Sequence, residues 1–328
     1  MPFTLKKITE KLIAEPINYS NARDAANELY HYFNNLSSIK NDYDKKLEHI
    51  QTNFGLAVST DAAAFCIIDF IRTRNFILAI KQAVEDKIAI NAKPVIVLYA
   101  GTGPFASLII PLTTIFTAEQ VQFILLEINE ESILHLKKII HKLEIENYIV
   151  DVIQTDASTY SLKDKNQVDI LVSETMKPAL DKEPQISIIS NLMEQCKTDV
   201  TIIPESIKVD FAYKGKSETK MFEHECIQEL VNFNASTAFG LNKNKNKLPI
   251  FSDGITLKIS SKPDNKFSEL SLLTYIRLYK NIVLCYNETS LTVPFTIAQI
   301  NNLHFPLTFK IKYNIDKHPG FSFKKIID

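Results

Sequence analysis

The sequence has little of what membrane-spanning, disulfide-bonded or zinc-binding proteins depend on. It contains four cysteines in 328 residues, and none is spaced as Cys-x-x-Cys, which argues against a zinc site or a disulfide framework. Its longest nearly apolar stretch, residues 104–118, holds two prolines and falls short of the roughly 18 to 20 residues that a membrane helix needs. We therefore expect free thiols, no metal and no membrane partner.

The charges of the two signs nearly cancel, which leaves a net charge of −1. Such a chain has no global field for nucleic acid, so we expect no nucleic-acid partner. The start, Met-Pro-Phe-Thr-Leu-Lys-Lys, lacks the apolar core of a signal peptide, which predicts a cytoplasmic protein. The length, with 45% hydrophobic residues, suits more than one globular domain.

The middle of the chain alternates short apolar strands with helical segments. The predicted strands are residues 95–98, 122–127, 148–154 and 168–173, and the predicted helices follow Pro104 and cover 130–143 and 184–196. This alternation predicts an α/β, Rossmann-like domain with a parallel sheet.

The flanking regions have different patterns. Residues 1–90 indicate helices at 21–34, 39–54 and 60–86, whereas strand-like runs rich in Ile, Val, Thr, Tyr and Phe follow residue 204. The predicted strands are 207–213, 254–260, 270–279, 282–286 and 307–313, with a helix at 217–232 and a solvated loop at 242–247. We therefore predict three parts: a helical segment (1–90), a Rossmann-like domain (91–204) and an antiparallel, β-barrel-like domain (205–328).

The most informative segment is the strand that begins at Val95 and breaks on Gly101 and Gly103. Glycines at a strand-to-helix turn let a nucleotide-like cofactor approach the backbone, and a following helix offers it unpaired N–H groups. The third glycine of the dinucleotide pattern would fall on Ala106, so a tight turn without a ligand stays open as an alternative.

Two acids follow neighbouring strands. Glu127 ends the second strand, where an α/β cofactor site places a ribose-binding acid, and Asp156 follows the third, where it would suit an adenine amine. A NAD-dependent enzyme would use the same features, so they leave redox chemistry and group transfer open.

A further motif, Asp69-Phe-Ile-Arg-Thr-Arg-Asn-Phe76, is similar to the Asp-x-Val-Arg-Thr-x-x-Tyr helix of the protein arginine methyltransferases. With the glycine loop and the two acids, it makes the chain resemble that family of class I methyltransferases over about residues 54–295. The resemblance implies S-adenosyl-L-methionine as cofactor and a homodimer whose arm would be the 217–232 helix. The cofactor-binding residues that it implies are Arg72 on the methionyl carboxylate, Ala100, Gly101 and Gly103 in the loop, Glu127 on the ribose and Asp156 near the adenine.

Glu174 and Glu183, nine residues apart, resemble the double-glutamate hairpin of that family, which makes them the candidate catalytic residues. A guanidinium presents five N–H donors in a planar fork, which paired carboxylates match best. Two glutamates would orient the fork and stabilise its charge during methyl transfer, without a metal. Taken singly, Glu174 is also compatible with a solvated strand end, and Glu183 with an acid at a helix N-terminus.

The sequence departs from the family at several positions. It has no tryptophan and no Thr-His pair, so the Thr-His-Trp loop of the family is missing; Tyr99 replaces the first loop glycine, and His304 is one candidate substitute for the histidine. These departures favour a small acceptor, such as free arginine or another guanidino metabolite of a natural-product-type pathway, over an arginine-containing peptide. An NAD-dependent oxidoreductase and a non-catalytic cofactor-binding regulator remain alternatives.

Overall fold

The computed structural model describes residues 2–39, 48–90, 93–164, 167–216, 222–242 and 248–326. The helices are α1 (Pro2–Leu12), α2 (Tyr19–Ser37), α3 (Thr60–Phe65), α4 (Phe70–Ile88), α5 (Glu130–Leu143), α6 (Gln185–Met193) and α7 (Ala235–Asn242). The first strands are β1 (Ile50–Thr52), β2 (Gly55–Ala57), β3 (Val95–Ala100), β4 (Val121–Glu127), β5 (Ile149–Gln154), β6 (Ile170–Ser173) and β7 (Thr201–Ile203). The later strands are β8 (Ser206–Gly215), β9 (His224–Asn234), β10 (Ile255–Ile259), β11 (Phe267–Tyr279), β12 (Ile282–Leu284), β13 (Phe295–Gln299), β14 (Leu307–Asn314) and β15 (Gly320–Ile326).

The first sheet confirms the Rossmann-like prediction. Its strands run in the order β5-β4-β3-β6-β7, and all neighbours are parallel. The central strand β3 is built from apolar residues because other elements cover the sheet, and Val97, Leu98 and Ala100 are completely buried. The carboxyl ends of parallel strands meet at one edge, so this topology brings the segments after β3, β4 and β6 together.

The predicted helix after Pro104 is wrong. Residues 101–109 form turns, and a short 3-10 helix follows at Ile110–Thr114. Ala106, at the position of the third glycine, has φ of 42° and so leaves the helical region. Pro111 and the β-branched residues around it disfavour a regular α-helix further along. The glycine loop is therefore not followed by the helix N-terminus that the sequence predicted.

The N-terminal region is partly as predicted. Helix α2 confirms the 21–34 prediction, whereas the apolar 60–86 segment is divided into α3, a 3-10 turn at Cys66–Ile68 and α4. The division falls at Asp69, whose carboxylate caps α4 by accepting the Arg72 N–H at 3.4 Å.

The helix predicted at 39–54 is wrong over its described part, and residues 40–47 lie outside the described residues. β1 and β2 instead form an antiparallel hairpin. Its turn needs Gly55, whose φ is +142°.

The remainder of the chain forms antiparallel sheets, as predicted, but these do not close into a barrel. One sheet has the order β12-β11-β8-β9, with β13 also paired to β11, and the other has the order β10-β14-β15. Strands β13 and β15 were not predicted from the sequence. Within the described ranges, no helix is long and apolar enough to cross a bilayer.

The helix predicted at 217–232 is contradicted from residue 224 onward, where β9 pairs with β8. Cross-strand pairing determines the conformation of this segment more strongly than its local pattern does. Residues 217–221 lie outside the described part, as does nearly all of the predicted 242–247 loop.

The segment that carries Glu183, residues 178–184, is called the Glu183 loop here. Ala179, Leu180 and Lys182 have positive φ between 57° and 64°, a conformation that costs about 1–2 kcal/mol for each residue with a side chain. Surrounding structure must supply that energy.

The antiparallel domain holds the Glu183 loop in place. The Ala179 N–H donates to the Thr274 hydroxyl at 2.8 Å, the Tyr313 hydroxyl donates to the Leu180 carbonyl at 2.7 Å, and the Lys182 N–H donates to the Pro319 carbonyl at 2.7 Å. Because these partners come from β11, β14 and the segment before β15, the second domain determines where Glu183 points.

We predict that Tyr313→Phe lowers the free energy of unfolding by about 1–3 kcal/mol, because the buried Leu180 carbonyl loses its donor. Tyr275→Phe is the control: its hydroxyl makes no hydrogen bond within the described residues, and we expect a change below about 0.5 kcal/mol. Urea unfolding of both variants measures the difference. Equal stability of the two variants would contradict the anchoring role of Tyr313.

Candidate active site

A cavity of about 460 Å³ opens at the carboxyl edge of the parallel sheet. Seven of the eight residues predicted for the site line it: Arg72, Gly101, Gly103, Glu127, Asp156, Glu174 and Glu183. Ala100 does not, because it is fully buried within β3. The structure thus brings together residues from α4, from the loop after β3, from the ends of β4 and β5, and from the segment between β6 and α6.

Gly101 lies where the loop passes closest to the end of the neighbouring strand β6. Its φ is +78°, and a side chain there would overlap the methyl group of Thr175. The sequence predicted a close approach of the backbone to a ligand, and the structure shows that the backbone also approaches Thr175. Both constraints make glycine the residue that fits.

Glu127 is buried at the end of β4 and is tied to the glycine loop. One carboxylate oxygen accepts the Gly103 N–H at 2.7 Å, and the other accepts the N–H groups of Ile128 and Asn129 at 2.9 Å each. Burial raises the pKa of Glu127, and these hydrogen bonds oppose the rise. A carboxylate has about four acceptor positions, two on each oxygen, so a ligand that used both oxygens would have to replace the N–H of Ile128 or of Asn129.

Asp156 follows β5 and lies half-buried at the same edge. Its Oδ1 accepts the backbone N–H of Ser158 at 2.9 Å and the Ser158 hydroxyl at 2.6 Å. These bonds fix the side chain in the cavity wall.

Arg72 and Glu174 form a buried ion pair between α4 and the end of β6. Arg72 Nη2 contacts Glu174 Oε2, and Arg72 Nη1 donates to the Cys66 carbonyl at 3.0 Å. Arg72 Nε is buried and, within the described residues, has no hydrogen-bond partner. An unpaired buried donor on a guanidinium is costly, so this atom favours an anionic ligand group.

Glu183 lies on the other side of the cavity and is 8% exposed. Burial raises the pKa of its carboxyl group, while the positive charges of Lys177 and Arg72 oppose that rise. Lys177 Nζ lies 3.6 Å from Glu183 Oε1.

Gln185 connects the two ends of the segment between the glutamates. Its Oε1 accepts the N–H and the hydroxyl of Thr175 at 2.9 Å each, and its Nε2 donates to the Ser173 carbonyl at 3.1 Å. Gln185 begins α6, two residues after Glu183. It therefore holds α6, and Glu183 with it, against the strand end that carries Glu174. Sequence reasoning missed this buried residue, which no motif marks.

Two other wall segments were also missed. The β1–β2 hairpin contributes Thr52 and Leu56, and the Leu56 N–H donates to the Lys182 carbonyl at 2.8 Å. A side chain at Gly55 would lie 2.9 Å from that same carbonyl. The Asn-Phe-Gly sequence between the two strands is typical of a turn and could have indicated this hairpin.

The segment after β12 contributes Ser290 and Leu291. Asp69 Oδ2 accepts the N–H and the hydroxyl of Ser290 at 2.7 and 2.6 Å, so the residue that caps α4 also fixes this wall. His304, the candidate substitute histidine, is exposed and is not a lining residue.

The cavity carries an excess of negative charge. Its lining includes four carboxylates and two cations, Arg72 and Lys177, which leaves an excess of two negative charges. The carboxylates are those of Glu127, Asp156, Glu174 and Glu183. Buried charge of one sign favours ligands of the other sign, so the site suits a cationic ligand. Among the residues that the structure describes, no group of three or more His, Cys, Asp or Glu side chains is placed to hold a metal ion.

Comparisons with known proteins agree with this arrangement. Residues 68–203 match the family model of PRMT5 arginine-N-methyltransferase. An uncharacterized protein of Methanocaldococcus jannaschii is 28% identical over 107 residues, which cover 29% of this chain and 40% of that protein. The chain thus spans about 40% of the length of the curated relative that it matches.

Two solved structures are similar to this chain. The crystal structure of PRMT6-SAH is 12% identical, with a TM-score of 0.54, over 78% of this chain and 97% of that one. The Trypanosoma brucei PRMT1 enzyme-prozyme heterotetrameric complex with AdoHcy is 14% identical, with a TM-score of 0.49, over 80% and 92% of the two chains.

Residues 68–203 are thus similar to a family of arginine-N-methyltransferases, and the fold is similar to that of PRMT6. The matched segment contains both glutamates, the glycine loop and Arg72.

We predict that Gly101→Ala lowers the free energy of unfolding by at least about 1–2 kcal/mol, since alanine is strained at this φ and overlaps Thr175. The double variant Gly101→Ala with Thr175→Ser lacks the obstructing methyl group and keeps the hydroxyl that bonds Gln185. It should therefore recover part of the loss, but not the part due to φ. Thermal and urea unfolding measure both variants against Thr175→Ser alone; no recovery would contradict the close contact between loop and strand.

Proposed function

We propose that this protein transfers a methyl group from S-adenosyl-L-methionine to a guanidino nitrogen, with a small guanidino metabolite such as free arginine as the preferred acceptor. The observation that carries the proposal is the placement of two buried glutamates, Glu174 and Glu183, in one acidic cavity beside the glycine loop. Paired carboxylates match the planar fork of a guanidinium better than they match the other common cationic side chains.

The residues of the cavity fit the proposed cofactor. The unpaired donor on Arg72 suits a methionyl carboxylate, the acceptors on Glu127 suit a ribose hydroxyl, and Gly101 keeps the backbone close. When bound, this cofactor supplies a methyl group on a positively charged sulfur, and transfer leaves a neutral thioether. The excess of two negative charges suits a sulfonium together with a guanidinium.

The glutamates would do three things in such a reaction. They hold the fork so that one nitrogen faces the methyl group, they stabilise the positive charge that remains on the acceptor, and they accept the proton that the nitrogen loses. Burial raises the pKa of Glu183, which makes Glu183 the better-suited base. Arg72, paired with Glu174, orients that carboxylate.

We predict that Glu183→Gln lowers kcat by about 100-fold or more, while the dissociation constant for S-adenosylmethionine changes little. Glutamine keeps the shape of the side chain but loses its charge. Glu146→Gln, an exposed acid paired with His141, is the matched control. Transfer of labelled methyl to free arginine and to an arginine-rich peptide measures activity, and calorimetry measures cofactor binding. Full activity of Glu183→Gln would contradict the proposed role.

The activity should also depend on pH through Glu183. Because the pKa of this carboxyl group is raised, it takes up a proton at a higher pH than an ordinary glutamate and then no longer binds a guanidinium. We expect kcat/KM to fall as the pH decreases through that raised pKa and to reach a plateau above it. The residual activity of Glu183→Gln should lack this acid limb; an unchanged acid limb would assign it to another group.

The other candidate functions give different results in the same assays. Transfer to peptide but not to free arginine would indicate a protein arginine methyltransferase, and saturable NADH binding would indicate the oxidoreductase. If Glu174→Gln left the biological function intact, the protein would be a cofactor-binding regulator. The family match over residues 68–203 favours methyl transfer over hydride transfer.

The proposal extends to assembly and location. A homodimer stays a prediction. The predicted arm helix at 217–232 no longer supports it from residue 224 onward, because a strand lies there instead. Analytical ultracentrifugation tests the homodimer. We also keep the predicted domain boundaries and a cytoplasmic location as proposals, which limited proteolysis and cell fractionation test.

A further inference from the structure

Among the described residues that line the cavity there is one lysine, Lys177. It lies between the two glutamates in the sequence. Its side chain is 44% exposed, whereas that of its partner Glu183 is 10% exposed. The lysine therefore reaches from the solvent side toward a buried carboxylate.

The two cations of the cavity differ in how firmly they are held. Arg72 is buried and bonded to both Glu174 and the Cys66 carbonyl. The Lys177–Glu183 separation of 3.6 Å is longer than the 2.7–3.2 Å of a direct hydrogen bond. The Lys177 side chain is 44% exposed and its four-carbon stem is flexible, so water can replace Glu183 as the partner of the ammonium group. Lys177 can therefore move away from Glu183 at low cost.

A guanidinium bound to Glu183 would favour that movement, because it occupies the same carboxylate and repels the ammonium group. A free guanidino amino acid carries its α-carboxylate at the end opposite the guanidinium. That carboxylate would enter a cavity with an excess of negative charge, where it needs a cation nearby. Arg72 already pairs with Glu174, so Lys177 is the cation left to serve this group.

We propose that Lys177 binds the α-carboxylate of a free guanidino amino acid and so selects it over an internal arginine residue, whose carbonyl group is uncharged. The proposal rests on the proposed function, since it assumes that the glutamates bind the guanidinium. It adds a specificity-determining residue that recognises a different part of the acceptor.

The experiment compares L-arginine with L-argininamide, which differ only in carboxylate against carboxamide. For the wild-type protein we expect kcat/KM to be on the order of tenfold or more higher for L-arginine, as expected for a charge-assisted hydrogen bond. Lys177→Met keeps a long apolar stem without the charge. It should raise KM for L-arginine by a similar factor and leave KM for L-argininamide within about twofold. Lys163→Met, an exposed lysine paired with Asp151, is the control and should change neither.

Calorimetric binding of both compounds in the presence of S-adenosylhomocysteine gives a second readout that does not depend on turnover. The proposal is overturned if Lys177→Met weakens both acceptors equally, since the lysine would then only position Glu183, or if it changes neither. It is also overturned if the wild-type protein methylates peptide and L-argininamide as well as L-arginine. In each of these outcomes methyl transfer to a guanidino nitrogen persists, so that part of the proposed function survives, although equal transfer to peptide would remove the preference for a small acceptor. Absence of transfer to every guanidino acceptor would overturn both proposals.

Discussion

The ion pair between Arg72 and Glu174 is the interaction on which the site depends. It joins the first turn of α4 to the carboxyl end of β6, so that the N-terminal region and the parallel sheet share one buried contact. Removing either partner would leave an uncompensated buried charge, which is far more costly than the pair itself. Within the described residues, Arg72 Nε is buried without a hydrogen-bond partner, and both glutamates line the same cavity.

Glu183 depends on a different kind of support. Its loop contains three residues with side chains in the left-handed region, and hydrogen bonds from β11, β14 and the segment before β15 hold that conformation. The β1–β2 hairpin packs against the same loop from the other side. One glutamate thus belongs to the parallel sheet and the other to the contact between domains, which makes the antiparallel domain part of the site as well as a neighbour of it.

Two helices that the sequence predicted are absent from the described structure at those positions, each for a physical reason. Turns replace the helix predicted after the glycine loop, because Ala106 adopts a positive φ and only a 3-10 helix follows at Ile110–Thr114. The helix predicted at 217–232 gave way from residue 224 to β9, whose conformation is set by pairing with β8. The antiparallel strands predicted for a β-barrel-like domain are present, but their sheets do not close into a barrel. The roles assigned to the site residues stay predictions.

The parallel sheet, the glycine loop and the strand-end acids of the site can be predicted from the sequence alone, because strand periodicity, glycines and acids at strand ends are local signals. Seven of the eight predicted residues line one cavity because the strand ends of a parallel sheet share an edge. Only the tertiary structure decided that Arg72 pairs with Glu174, that Gln185 links the segments carrying the two glutamates, and that Lys177 faces Glu183. These are contacts between side chains on separate elements, and they depend on packing distances that no local sequence pattern encodes.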